Sequence, residues 1–277
     1  IVLMSLFLTM NATDRTLQLQ GAEHYHDTGS FIFSGMLAPM FSGLSETTLI
    51  AIERSCWWLH IIGILAFLNY LPYSKHLHIM FAFPNAWYAR LNVQGQMTNM
   101  ENVQNEVKYM MQPELAPTGE AATMKFGAKD VFDLSWKNLL DAYSCTECGR
   151  CSAACPANQT GKLLSPRKIM MDTRDRLEEV GKNINANGSF KDDGKTLLNN
   201  YITVEELRAC TTCNACVEEC PVSISPLDII FQLRRSLIME DSNAPQEWNA
   251  MFGNIENNFA PWKFSPEDRD KWVEEMK

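Results

Sequence analysis

The sequence predicts a mainly α-helical chain in two parts: a transmembrane helical anchor, incomplete at its N-terminus, and a compact helical domain around two cysteine-rich turns. Three observations predict it. Residues 56–73, CWWLHIIGILAFLNYLPY, carry no formal charge; eight cysteines fall into two groups of identical spacing; and several apolar segments after residue 130 open on Ser or Thr.

Composition narrows the function classes. Of 277 residues, 24 are Lys or Arg and 33 are Asp or Glu, a net charge of −9 with no basic stretch to neutralise phosphates, which sets aside nucleic acid as a partner. Of the nine cysteines, only Cys56 stands outside the two groups, and we read it as a small packed residue. Tightly clustered cysteines point to thiolate ligands kept reduced in the cytoplasm rather than to disulfides.

Taken in order, the chain opens on Ile1-Val-Leu-Met-Ser-Leu-Phe-Leu, a run too short to cross a bilayer and without a basic leader. We read residues 1–10 as the cut end of a transmembrane helix, with further helices upstream. Residues 11–45 contain Gly21, Gly29, Gly35, Pro39 and Gly43 and read as a loop or re-entrant segment in which His24 and His26 are loop histidines. A transmembrane helix follows at about 46–83, and the anchor closes at 92. From Cys56 to Phe83 the run is about 28 residues, roughly 42 Å if helical. Pro72 would kink it by pressing on the carbonyl of Leu68, while Trp57, Trp58, Tyr70 and Tyr73 suit interfacial zones and Lys75 can snorkel. A buried helix of a soluble domain is the alternative. Arg15 and Arg54 are the only basic residues in 11–54, against Lys75, Arg90, Lys108, Lys125 and Lys129 further on, so the C-terminal side is expected inside.

Residues 93–130, with Pro113, Pro117 and Gly119, read as a linker, and 131–240 as the helical domain. There, Ser135 can cap a helix to Tyr143; Ser165-Pro166 starts one that Gly181 would stop; Thr203 and Glu206 form a capping box; and Ser225-Pro226 starts a helix through Leu237. Because each cysteine run is followed by Ser-Pro and an apolar helix, the domain reads as a diverged duplication. The tail, 241–277, carries Trp248, Phe252, Phe259, Pro261, Trp262 and Trp272 among acidic residues, and packs on its own domain or docks a partner.

The two runs are Cys145-x2-Cys148-x2-Cys151-x3-Cys155-Pro156 and Cys210-x2-Cys213-x2-Cys216-x3-Cys220-Pro221. The x2 spacings let one turn present three thiolates to a 4Fe–4S cluster, and in two-cluster ferredoxins the fourth cysteine ligates the other cluster. The expected sets are therefore Cys145, Cys148, Cys151 and Cys220 for one cluster, and Cys210, Cys213, Cys216 and Cys155 for the other. A pair of zinc sites is the alternative, though zinc usually takes two separated pairs of ligands. The runs lie too far apart for the smallest bacterial ferredoxins, and the domain resembles the α-helical ferredoxin type.

His60 and His78 stand 18 residues apart, and 18 steps of about 100° return to the same face of an unbroken helix. Ionisable groups inside a span are usually functional, and histidine ligates haem; His60 and His78 would each give an axial ligand to a different b-type haem. The alternative is that His60 bonds a backbone carbonyl and His76 and His78 lie at the interface. The stretch WWLHIIGILAFLNYLPYSKHLHI resembles the last helix of the respiratory nitrate reductase gamma subunit family, where histidines so spaced bind two haems and partner ligands come from an earlier helix. That resemblance favours haem at His60 and His78, with His76 in reserve.

CTECGRCSAACP followed by SPRKI, and LRACTTCNACVEECPVSISPLDIIFQLRR, look like the iron–sulfur subunits related to heterodisulfide reductase, to glycolate and glycerol-3-phosphate dehydrogenases, and to membrane-bound electron-transfer-flavoprotein:quinone oxidoreductases. Together the resemblances cover about residues 46–240, and the cysteine-rich CCG repeats that many such proteins carry are not in this sequence. What they imply is an electron-transfer oxidoreductase of the bacterial or archaeal inner membrane, its cysteine domain facing the cytoplasm. Electrons would pass from a soluble dehydrogenase or flavoprotein through two 4Fe–4S clusters and b-type haem to a membrane quinone as substrate, with a CCG-domain or flavoprotein subunit as partner. Reverse flow from quinol to a sulfur-compound reductase, or a structural role for the clusters in assembly, are the other readings. The relay itself needs no side chain as acid, base or nucleophile, and no catalytic residue is named.

Overall fold

The computed structural model describes residues 1–93, 95–116, 125–263 and 265–276. Regular structure is helical, and no β-strand occurs among the described residues. The chain divides into two compact units, residues 1–77 and 78–277.

In the first unit, α1 (Val2–Gln20) runs antiparallel to α2 (Glu46–Tyr70), with Leu17 and Leu49 fully buried in their shared core and Leu3 against His60. α1 continues ten residues into the stretch 11–45 expected as loop. Thr13 and Thr16 make this possible: both are buried, and their hydroxyls donate to the carbonyls of Thr9 and Ala12 at 2.9 Å, so a polar side chain sits in the helix without an orphaned atom. The helix ends at Gly21, whose φ of 72° lets Gly21 and Ala22 bond back to Gln18 and Leu17. Two 3-10 turns, Ser34–Met36 and Ala38–Phe41, lead to Ser45, whose hydroxyl caps α2 by accepting from the Thr48 amide.

Glu46–Tyr73 is, among the described residues, the one helical segment long and apolar enough to cross a membrane. Trp58, Leu59, Ile62, Leu65 and Leu68 along it are exposed. The unbroken helix expected over 46–83 is divided, however. α2 stops at Tyr70, Leu71–Tyr73 forms a 3-10 turn, Ser74 is extended, and α3 (Leu77–Trp87) starts afresh. Pro72 has no N–H to continue the ladder and its ring opposes the Leu68 carbonyl, so it terminates the helix instead of kinking it. The 18-residue recurrence that puts His60 and His78 on one face needs an unbroken helix and does not apply.

Residues 78–92, expected in the anchor, belong to the second unit. Their attachments are polar and distant in sequence: Ser144 Oγ donates to the Phe81 carbonyl at 3.2 Å, Asn85 Nδ2 to the Val222 carbonyl at 2.8 Å, and Arg90 pairs with Asp228 at 2.7 Å. The expected linker, 93–130, contains α4 (Glu101–Met111) and is tied down by Thr98, which donates to Asp228 at 2.6 Å; Pro117 and Gly119 lie outside the described residues.

The domain proper comprises α5 (Trp136–Ser144), α6 (Pro166–Asn187), α7 (Val204–Ala209) and α8 (Pro226–Arg235), which a π turn, Ser236–Glu240, extends. Ser135, Ser165, Thr203 and Ser225 each cap the helix they precede, with reciprocal capping boxes at Ser135 and Thr203. Gly181 does not stop α6, which runs to Asn187 and ends at Gly188, φ 77°. The core is Leu164, Ile169, Leu197, Leu207, Ile229 and Leu233, all essentially inaccessible. Arg176 is also fully buried and is matched by two carboxylates, Asp130 at 2.7 Å and Asp193 at 2.5 Å. The tail forms α9 (Gln246–Asn258) and α10 (Lys271–Glu275). Arg208 holds its start, donating to the Asn243 carbonyl at 3.0 Å with its guanidinium 5.8 Å from the Trp248 ring.

Candidate metal centre

Each cysteine run lies in a turn that begins where a helix stops. α5 ends at Ser144 and Cys145 is extended; α7 ends at Ala209 and Cys210 is extended in the same way. From there the backbone repeats position for position. Glu147 (φ 55°) matches Thr212 (φ 58°), and Gly149 (φ 83°) matches Asn214 (φ 63°). One-turn helices, Arg150–Ala153 and Ala215–Glu218, then carry Cys151 and Cys216. Two left-handed residues per turn are costly for side chains other than Gly and Asn. They wind the chain so that the thiols at the first, fourth and seventh positions share its concave side.

The turns are pinned from outside. Arg174 pairs with Glu147 at 2.8 Å, and Arg234 donates to the carbonyls of Leu207 at 3.0 Å and Cys210 at 2.5 Å. The amides of Thr212 and Ile224 point at the sulfurs of Cys210 and Cys220, both at 3.4 Å.

The fourth cysteine of each run crosses to the other turn. Cys145, Cys148, Cys151 and Cys220 line one pocket together with Cys216, closed by Met170, Val222 and Ile224. In the second group, Cys210 has Cys155 and Cys213 as electrostatic neighbours, and Cys216 has Cys210, Cys151, Cys155 and Cys213. Burial pushes the Cys145 thiol up to about 11 and Cys216 to about 12, and raises Cys151 and Cys210, while the Arg150 amide draws the exposed Cys148 down. A bound cationic group favours the thiolate form that burial disfavours at Cys145, Cys151, Cys210 and Cys216, and four thiols around an apolar pocket are the donor set an iron–sulfur cluster takes. Among the described residues no three His, Cys, Asp or Glu side chains meet closely enough to share a single metal ion; the thiols stand around a pocket, not at a point.

The histidines are placed separately. His60 is half-buried on α2, and its Nδ1 donates to the Leu3 carbonyl at 2.9 Å with the Phe7 ring 5.6 Å away. That bond is the one the plain alternative expects, and it is also how a metal-ligating histidine is oriented, since it leaves Nε2 without the proton. His78 is half-buried in the first turn of α3, and His76 is exposed, 6.1 Å from the Phe67 ring. His24 and His26 are exposed between α1 and the first 3-10 turn, and Cys56 is buried on α2.

Residues 144–224 match the 4Fe–4S dicluster domain family. Over 91% of its length the chain is 30% identical to a probable iron–sulfur-binding oxidoreductase, FadF, of Bacillus subtilis, covering 38% of it. It is 29% identical to the EtfAB:quinone oxidoreductase of Syntrophomonas wolfei, over 88% of this chain and 34% of that protein. A probable membrane-anchored ferredoxin of Chromohalobacter salexigens is 30% identical over 56% of this chain and 25% of its own length. The chain thus spans between a quarter and two fifths of the length of these relatives, of which the first two are named oxidoreductases and the third a ferredoxin.

Proposed function

We propose that this chain is the electron-transferring part of a membrane-bound iron–sulfur oxidoreductase that passes electrons from a soluble dehydrogenase or flavoprotein to a membrane quinone. The observation that carries the proposal is the exchange of fourth cysteines between two matching turns, which gathers Cys145, Cys148, Cys151 and Cys220 at one pocket and Cys155 with Cys210, Cys213 and Cys216 in the other group. Each set would hold one 4Fe–4S cluster, and the clusters would supply reversible one-electron storage. The chain's own part is to fix the thiols, shield the first set with Met170, Val222 and Ile224, and aim the Thr212 and Ile224 amides at the sulfurs of Cys210 and Cys220, which favours the reduced form.

The apolar segment Glu46–Tyr73 would cross the bacterial or archaeal inner membrane with the cysteine domain on the cytoplasmic side. His60 and His78 would each offer one axial nitrogen to b-type haem, with the Leu3 carbonyl fixing the His60 tautomer and partner ligands coming from helices upstream of this sequence. The likeness to a protein named EtfAB:quinone oxidoreductase supports quinone as the final acceptor, and a flavoprotein or CCG-domain subunit would be the partner. The test is a redox-poised optical and EPR titration of the protein in detergent. Two interacting cluster signals with a low-spin b-haem α-band support the relay; zinc in place of iron, or clusters that collapse before they reduce, refutes it.

A further inference from the structure

The two turns match in backbone but not in charge. Both outer thiols, Cys148 and Cys213, are exposed. Two arginines, Arg150 and Arg167, line the pocket of the first set and are themselves exposed. Arg150 lies two residues past Cys148, and its amide, then its guanidinium charge, draws that thiol down. Arg167 arrives from the start of α6. Its amide donates to the Ser152 hydroxyl at 3.3 Å, and its Nη1 lies 3.7 Å from where a Cβ on Gly149 would stand. Among the described residues neither guanidinium pairs with a carboxylate, whereas Arg174 is matched by Glu147 and Asp175.

The second turn has no counterpart of either. Ala215 occupies the place of Arg150, and the second residue of α8, in the place of Arg167 on α6, is the buried Leu227. Residues 211–219 contain no Lys or Arg and end on Glu218 and Glu219, both exposed. Glu219 also lines the first pocket, which puts an acidic residue on the rim where the second run meets it. A chain of net charge −9 thus keeps two unmatched arginines at the solvent edge of one thiol set and none at the other. Guanidinium groups pair with carboxylates in a fixed, two-pronged geometry, which makes arginine the cation suited to an interface.

We propose that the Arg150/Arg167 rim docks the soluble electron donor, a protein with an acidic face around its own redox centre, and that electrons are exchanged there with the set Cys145, Cys148, Cys151 and Cys220. This deepens the proposed relay and rests on it for the clusters. Attraction from afar does not bring such a partner, since the chain as a whole is acidic. Salt confines the pull of the rim to about 10 Å at 0.1 M, so it selects orientation at contact. In that orientation the donor meets Cys148, the one exposed thiol of its set. The transfer removes one electron from the donor's redox centre and adds one to the cluster held by that set; no bond forms or breaks and no proton moves.

The experiment uses the full-length protein in detergent, reduced anaerobically, and runs the same encounter in reverse with two protein oxidants, acidic plastocyanin and basic cytochrome c. Stopped-flow absorbance gives the second-order rates, and freeze-quench EPR follows the clusters. At low ionic strength the double variant Arg150→Glu/Arg167→Glu is expected to slow plastocyanin reduction on the order of 10-fold and to speed that of cytochrome c. Both effects are expected to fade at about 0.5 M salt. Glu219→Gln is expected to speed plastocyanin, and Thr211→Glu, beside the second set, to leave it unchanged. A damaged fold or a shifted midpoint would move both oxidants the same way. Equal slowing of both oxidants, an equal effect of Thr211→Glu, or rates indifferent to the Arg150 and Arg167 charges overturns the inference while leaving the relay standing. Protein without cluster EPR signals overturns the proposed function, and the inference with it.

Discussion

Asp228 → Asn isolates the contact that fastens residues 90–98 to the cluster domain. The carboxylate is 5% exposed and accepts from Arg90 at 2.7 Å, Thr98 at 2.6 Å and Asn138 at 2.7 Å. Burial on its own pushes this carboxyl up, but the three hydrogen bonds and the Arg90 charge outweigh it and hold it at about 2. Against an ordinary aspartate near ~3.9, a depression of about two units is worth on the order of 2.5 kcal/mol. The folded-state value is the lower one, so this stabilisation is complete above the unfolded value and is lost only as the pH falls through about 2. Amide exchange by mass spectrometry, corrected for intrinsic rates, reads the local opening. Peptides covering residues 85–98 should exchange on the order of 50-fold faster in the variant, by the same factor at pH 6 and pH 8. No acceleration, or one that fades between pH 8 and pH 6, would refute the reasoning, because Asp228 would then not be a strongly held carboxylate.

Arg176→Met leaves Asp130 and Asp193 facing each other without their cation; a loss of about 3 kcal/mol is expected by calorimetry, at the low end for a broken buried pair because both carboxylates keep some exposure. Gly127→Ala should lower the melting temperature through a loss of about 1–3 kcal/mol, because a Cβ there runs into the Gln232 carbonyl and the Ser236 amide, whereas Gly181→Ala in α6 meets nothing within 4 Å and should gain about 0.5–1 kcal/mol. His60→Ala should abolish a low-spin haem band while both cluster EPR signals persist; an unchanged α-band would reduce His60 to the partner of the Leu3 carbonyl.

What the sequence made legible was local. The caps at Ser135, Ser165, Thr203 and Ser225 are set by a side chain and an amide three residues on, and they fall where the pattern places them. The cysteine spacing implied two matched turns, and the left-handed pairs Glu147/Gly149 and Thr212/Asn214 repeat at the interval of the runs. Helix ends were less legible. α1 passes the boundary at residue 10 because threonine hydroxyls satisfy themselves on the preceding turn, Pro72 breaks where a kink was expected, and Gly181 costs α6 too little to end it. The hold of residues 78–98 on the domain left no local trace at all. It runs through single long-range bonds, from Asn85 to Val222 and from Arg90 to Asp228, whose partners lie far along the chain and follow no period.

The crossing of Cys220 into the pocket of the first turn also bears on how the protein is made. Domains generally fold as units during synthesis, N-terminal parts first. Here the N-terminal turn has only three thiols of its own, and the fourth thiol at its pocket is Cys220, the last of the eight clustered cysteines to be synthesised. On the proposed sets, the second would be complete once Cys216 has emerged, whereas the first would wait for Cys220. A product truncated between residues 216 and 220 would carry seven of the eight clustered cysteines and lack the fourth thiol of its first pocket.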